Sequence, residues 1–193
     1  MRAVRGPFPC SGLVSVVLVY LLGAAAVSAD DEYFCASGDT ACLIAAIEAV
    51  NADDDQDTIR LEEGTYSLTA GWSGEIWEDL VIEGNGATIE RVASAPKFRI
   101  FQVGSQTEFR DLTIRGGHSE SGGGAVSAAA RATFRECIIE DNRSDSGCGA
   151  IQNDGTVDLQ RTTIRGNSGP QGGGICQVTY TLALIEDSVI DSN

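Results

Sequence analysis

Basic residues are scarce in this chain: 13 Lys and Arg stand against 28 Asp and Glu, a formal net charge of -15 over 193 residues. A nucleic-acid binder needs a cationic surface to displace counterions from phosphate, so that class is excluded. There is a single histidine, which argues against a His-rich metal site and against a histidine-dependent catalytic triad. The longest apolar run, Leu13–Val27, has 15 residues, short of the roughly 20 that span a bilayer as a helix. Long blocks of like charge are also missing and 42% of the residues are apolar, so global disorder is excluded. What is left is an acidic protein with 23 Gly, long enough for one domain with a sizeable core.

The apolar run takes its meaning from its flanks. Arg2 and Arg5 precede it, Val27-Ser28-Ala29 offers small residues for cleavage, and Asp30-Asp31-Glu32 follows. This layout is that of a secretory signal peptide covering residues 1–29, and it predicts a secreted, extracellular or cell-surface protein without a transmembrane segment in the mature chain. No Cys follows the run, so a lipoprotein anchor has no attachment point. Cleavage would leave 11 basic against 28 acidic residues, a net charge of -17. It would also leave Cys35, Cys42, Cys137, Cys148 and Cys176. An exported chain can hold disulfides, but five is odd, so at least one thiol is free or pairs outside this sequence. Cys35 and Cys42, seven apart in a loop ahead of a helix, are the expected bridge. The pairing of Cys137, Cys148 and Cys176 stays open.

Self-comparison reveals a repeat. The segment TEFRDLTIR at Thr107–Arg115 returns as ATFRECIIE, VDLQRTTIR and LALIEDSVID, with Ile114, Ile139, Ile164 and Ile190 at steps of 25, 25 and 26. An earlier match, DLVIEGNG, gives Ile82 the same role after a step of 32. Phe101, Val126, Ile151 and Cys176 form a second column at steps of 25, with Gly124, Gly149 and Gly174 two residues ahead of the last three. Within each unit the apolar positions alternate, as in Phe109, Leu112 and Ile114, and the alternating residues are rich in Thr and β-branched types. That is strand patterning. A unit of roughly 25 residues holding two or three short strands has the size of one coil of a parallel β-helix.

Stacking the units predicts ladders. Asn85, Gly117, Asn142, Asn167 and Asn193 fall three residues after the isoleucines, and Asn suits both left-handed turns and hydrogen bonding along a stack. The residues just after the isoleucines, Glu83, Arg115, Glu140, Arg165 and Asp191, alternate in sign, which favours one register. Ahead of the coils, Asp39-Thr40 caps a helix from Ala41 to about Val50, with Leu43, Ile44, Ile47 and Val50 on one face to cover the open end of the solenoid. Asp53, Asp54, Asp55 and Asp57 form an acidic loop. Thr58–Leu61 and Tyr66–Thr69 read as the first strands, joined through Glu63-Gly64. The expected organisation is a signal peptide (1–29), an N-terminal cap of Cys loop, helix and acidic loop (30–57), and coils (58–193). The coils stop at Asn193 without a recognisable cap, so the expectation is that more chain follows.

The opening CLIAAIEAVNADDDQDTIRLEEGTYSLT followed by coils with GGGAV, GCGAI and GGGIC resembles secreted bacterial right-handed parallel β-helix proteins of the pectate-lyase-like superfamily. Cys42, Asn51, Asp57, Thr58, Ile59, Leu61, Gly64, Thr65 and Tyr66 match the opening of the CSLREA-type members, with Ile44 and Ala45 where those carry Arg-Glu. Gly123-Gly124-Ala125-Val126 is similar to the repeats of polymorphic outer-membrane proteins, without their F-x-x-N element. The resemblance implies an all-β fold: a right-handed parallel β-helix of about five coils with an N-terminal amphipathic capping helix.

Polysaccharide-cleaving β-helices use clustered carboxylates, or Ca²⁺-binding acids beside a basic residue that removes a proton. The nearest match is a turn column of Asp79, Asp111, Glu136 and Asp187, interrupted by Arg161 and flanked by Arg110 and Arg135. Arg110, Asp111, Arg135 and Glu136 are therefore the candidate catalytic residues, and a solvated column of neutralised charges is the plainer interpretation. His118 lies in a Gly-rich loop with no partner acid fixed by spacing. Asp53, Asp54, Asp55 and Asp57 offer loose Ca²⁺ association without the D-x-D-x-D-G spacing, so no cofactor beyond that ion is called for. Trp72 and Trp77 are expected to cover the first coils, with sugar stacking as the alternative. The leading expectation is a non-catalytic β-helix for structure, adhesion or contact with an extracellular polysaccharide or cell-surface ligand. The alternatives are a polysaccharide lyase or glycoside hydrolase, and a passenger segment of an outer-membrane or autotransported protein.

Overall fold

The computed structural model describes residues 4–5, 31–52, 54–69, 72, 74–177 and 181–193. The expected leader lies outside the described residues apart from Val4–Arg5, a short strand beside Glu32 and Tyr33. The chain winds into the parallel β-solenoid that the repeat predicts, with about six turns where about five were expected. The first face carries Glu32–Cys35, Asp57–Leu61, the start of Leu80–Arg91, Thr107–Arg115, Arg131–Arg135, Thr156–Gln160 and Leu182–Glu186, each parallel to the next. A bend then leads to a second face ending in Ile138–Glu140, Thr163–Arg165 and Val189–Asp191. The third face is a separate sheet of Glu75–Ile76, Phe101–Val103, Val126–Ala128, Ile151–Asn153 and Ile175–Gln177.

Pairing begins earlier than the sequence suggests. The expected Cys loop contains a strand, Glu32–Cys35, whose Tyr33 lies opposite Ile59 and is buried. The helix, Thr40–Val50, follows it directly. Asp39 caps that helix by accepting from the Cys42 backbone N–H at 3.0 Å, satisfying a donor that has no partner within the helix. Leu43, Ala46, Ile47 and Val50 are its buried positions, with Ala46 taking the place expected for Ile44. Cys35 and Cys42 are bonded, their Cα atoms 5.5 Å apart, so the strand is tied to the first helical turn.

The core is built from stacked like residues. Tyr33, Ile59, Ile82, Phe109, Phe134 and Leu159 follow one another inside the first face, and all are fully or almost fully buried. Phe109 and Phe134 stack with ring centroids 4.9 Å apart and planes 7° from parallel. Burying such a side chain is worth about 1.5–3 kcal/mol, and a ring pair adds about 0.5–1.5. Ile185 continues this column, and Ile190 follows Ile164 on the second face; in the last described turn they are 53% and 43% exposed.

Two columns differ from expectation, both because turn length changes. Ile82 lies opposite Phe109, and it is Ile89 that lies opposite Ile114. Gly84, Asn85 and Gly86 make a longer bend there than the single residue of later coils, shifting register between Glu83 and Ala87. The isoleucine column is therefore Ile89, Ile114, Ile139, Ile164 and Ile190, and Glu90 takes the charge position expected for Glu83. In the other column Ile175, not Cys176, faces Ile151. A one-residue slip reverses which side chains point inward, so Cys176 turns outward and bonds Cys148, with Cα atoms 5.3 Å apart. Cys137 remains a buried free thiol, and burial pushes its pKa up to about 12.

The asparagine ladder joins the last coils. Asn142 Oδ1 accepts the Gly117 backbone N–H at 2.9 Å, and Asn167 Oδ1 accepts the Asn142 backbone N–H at 2.9 Å. Asn193 Oδ1 accepts the Asn167 backbone N–H at 3.1 Å. Each amide nitrogen returns to a carbonyl of the preceding coil: Asn142 Nδ2 to Ile114 O at 3.1 Å and Asn167 Nδ2 to Ile139 O at 2.9 Å. Asn85 is not part of this ladder. It occupies the longer bend at φ 50° and donates to Leu61 O at 2.9 Å. Asn167 is buried and served from both sides, so Asn167→Ala would strand donors and acceptors in two coils at about 1–3 kcal/mol each. We expect a loss of about 2–4 kcal/mol in urea denaturation; a loss below about 0.5 kcal/mol, the level of an ordinary surface change, would contradict the ladder's structural role.

Candidate functional site

The outward residues of the first face form polar columns along the solenoid. One column runs Arg60, Glu83, Arg110, Arg135 and Gln160; the next runs Glu108, Thr133 and Asp158. Arg110 and Arg135 are direct neighbours, and two guanidiniums so placed repel each other. Glu108 resolves the conflict. It accepts from Arg110 Nε and Nη2, both at 2.9 Å, and from Arg135 Nε. Arg110 Nη1 also reaches Glu83 Oε1 at 3.2 Å, Arg60 bonds Glu83, and Arg135 bonds Gln160.

Beside this chain of ion pairs lies a groove of about 520 Å³ spanning successive coils, with Gln106, Glu108, Arg131, Thr133, Arg135 and Asp158 on its walls and floor. Asp158 is 7% exposed. One of its oxygens bonds Arg131, while Oδ1 is buried without a hydrogen-bond partner. A desolvated carboxylate oxygen with no donor costs about 1–3 kcal/mol or more.

The hydrogen bond from Arg110 is the leading reason the Glu108 carboxyl lies below its usual range; burial opposes that shift and Arg135 reinforces it. The same contact pushes Arg110 further up. Near neutral pH both groups therefore stay charged, an arrangement suited to binding and poorly suited to moving protons.

The expected catalytic set is divided. Arg110 and Arg135 belong to the strand surface, whereas Asp111 and Glu136 occupy the bend at φ 46° and 57°. Both acids are exposed, and Glu136 pairs with Arg161 at 2.7 Å. Asp187 and Arg161 share that bend column, but Asp79 does not: it accepts from Ser105 Oγ at 2.5 Å and the Gln106 backbone N–H at 3.0 Å. Of the acidic loop, Asp53 lies outside the described residues, Asp54 is exposed, and Asp57 is buried in a strand, accepting from the Asp31 backbone N–H at 2.7 Å. Among the described residues no group of three His, Cys, Asp or Glu side chains is arranged to hold a metal ion.

His118 does have an acidic partner, one coil onward. Its Nε2 is 2.8 Å from Asp145 Oδ1, and Lys97 Nζ is 2.7 Å from Asp145 Oδ2. The His118 hydrogen bond, then that from Lys97, brings the Asp145 pKa down to about 2. Trp72 packs edge-on against Phe101 at 6.0 Å and donates to Ile100 O at 2.6 Å. Trp77 is 49% exposed, with its ring over Gly104. The column the sequence reading missed is Glu108, Thr133 and Asp158; its signal is the 25-residue spacing at positions two before the arginines and Gln160.

Comparison of the chain with protein-family models, curated proteins and solved structures finds no match. No helix among the described residues is long and apolar enough to cross a membrane.

Because the Glu108 pKa is lowered by folding, its contribution is present above the unfolded carboxylate value and is lost as pH falls through the folded one. Glu108→Gln should flatten the loss of stability below about pH 4. Urea midpoints measured across that acid range would check this, and a slope equal to that of the wild type would refute it.

Proposed function

We propose that this is a secreted or cell-surface β-helix protein that acts by contact, using the first-face groove to hold an extracellular polysaccharide without cleaving it. The observation that carries this reading is the groove itself, about 520 Å³ lined by Gln106, Arg131, Thr133, Arg135 and Gln160 across successive coils. Its guanidiniums, amides and the Thr133 hydroxyl can meet the hydroxyl and ring oxygens of a carbohydrate. A solenoid also suits an extended ligand, since equivalent positions recur about every 4.8 Å along the axis. The leader-like opening and the two disulfides support placement outside the cytoplasm.

The ion pairing favours contact over lyase chemistry. A proton-abstracting arginine calls for a lowered pKa, and Arg110 is shifted the other way by Glu108.

A glycan array followed by calorimetry tests the proposal. Arg135→Ala and Gln160→Ala should each weaken binding by about tenfold, the scale of a hydrogen bond, with unchanged circular dichroism. Release of unsaturated or reducing sugar products by the wild type, abolished in Arg110→Ala, would replace this reading with the lyase or hydrolase one.

A further inference from the structure

Arg99 stands apart in this acidic chain. Every other cation with a described side chain, Arg91 excepted, lies within ion-pair distance of a carboxylate. The Arg91 guanidinium sits over Phe98 and bonds backbone carbonyls. Arg99 bonds only neutral acceptors: Gln102 Oε1 at 2.6 Å, Gly122 O at 2.7 Å, Gly123 O at 3.2 Å, Ser121 Oγ at 3.2 Å and Ser119 Oγ at 3.3 Å. Burial disfavours its charged form, opposed only by Asp154 acting through space without contact. A partly buried cation that no carboxylate touches is an electrostatic deficit.

The deficit opens into a pocket. Lys97, Arg99, Gln102, Ser119 and Ser121 line a hollow of about 260 Å³ beside the third face, away from the groove. Both hydroxyl oxygens accept from Arg99, and Ser119 Oγ also accepts the Ser121 backbone N–H at 3.2 Å. The two hydroxyl oxygens are also 3.5 Å apart, so one proton can be shared between them and the other remains available to donate. Lys97 gives one proton to Asp145, leaving two at the pocket edge. Donors therefore outnumber acceptors around a guanidinium that no carboxylate contacts, with Glu120 also at the lining.

We propose that this pocket binds a single small oxyanionic group, a carboxylate, sulfate or phosphate. Ser121 and Lys97 donate to it directly, and Arg99 supplies the compensating charge from beneath. The volume is smaller than the roughly 300–1,000 Å³ of a drug-sized site, so the pocket takes a group rather than a large molecule. Glu120 at its lining and the net charge of -15 oppose long polyanions. The site goes beyond the groove reading and does not depend on it.

The probes are inorganic sulfate, inorganic phosphate and sodium glucuronate, with chloride at matched ionic strength and neutral glucose as controls. In two-dimensional amide NMR of the full chain, at least one oxyanion should cause saturable shifts at Ser119–Gly123, and the controls should not. Response to the inorganic ions marks a free anion as the ligand source, whereas response to glucuronate alone marks an acidic sugar. Lys97→Ala and Ser121→Ala should each weaken binding by about tenfold, and Arg135→Ala should leave it unchanged. Arg99→Gln should abolish it; because that change also removes loop contacts, the Lys97 and Ser121 variants decide. Absence of saturable shifts with all three oxyanions, equal shifts with chloride or glucose, or undiminished binding in both Lys97→Ala and Ser121→Ala would overturn the proposal.

Discussion

In a parallel β-solenoid each side chain has, above and below it, the residue one turn away in sequence, at a spacing of about 4.8 Å. The sequence of each column must therefore tolerate being stacked on itself, and this condition governs the rest of the molecule. Apolar columns meet it easily: Phe109 on Phe134, and Ile89 through Ile164, gain from each repetition. Asparagine meets it in another way, because a primary amide is both donor and acceptor. Asn142 and Asn167 each bond upward and downward, so backbone groups at the bend that no strand can serve are satisfied inside the turn.

Charge is the residue class least able to stack on itself. The second face answers by alternation, Glu90 under Arg115 and Glu140 under Arg165. Such exposed pairs add little stability, but a shifted register would set like charges together, so they act chiefly against misregister. The bend uses a different tolerance. Asp111, Glu136, Arg161 and Asp187 all adopt positive φ, and an exposed polar side chain is compatible with that conformation at modest cost. The acidic column noted in the sequence therefore lies, apart from Asp79, on this left-handed bend.

The coils were legible because three columns share one period, and period survives without knowledge of contacts. It failed at Ile82 and Cys176, where a turn gains or loses residues, since a column read by counting cannot detect a change in bend length. Ile89 was available at 25 residues before Ile114, but the GNG bend hid it inside what reads as one continuous strand. The first strand, Glu32–Cys35, was hidden differently. It is short, it precedes the repeat, and its partner, Thr58–Leu61, is identified only by pairing. The site was less legible than the fold. Arg110 and Arg135 were visible as a column, while Glu108 and Asp158, which give those arginines their meaning, are set by the neighbouring column and by which side of the strand faces out.

The two candidate sites have a common origin in violations of the stacking condition. Arg110 beside Arg135 is a like-charge contact that the fold does not avoid, and Glu108 is held ionised between them to neutralise it. At Asp158 the next turn brings Leu184 alongside, where no donor replaces the one that charge stacking would supply. At Arg99 the neighbouring turn offers serine hydroxyls and glycine carbonyls instead of a carboxylate. A repeat selected only for stacking would have removed these mismatches, since apolar and amide solutions are present in adjacent columns. Where a solenoid keeps an unbalanced charge on its surface, the missing partner is best sought in solution; the groove presents its arginines and the pocket its donors, while Asp158 Oδ1 stays enclosed.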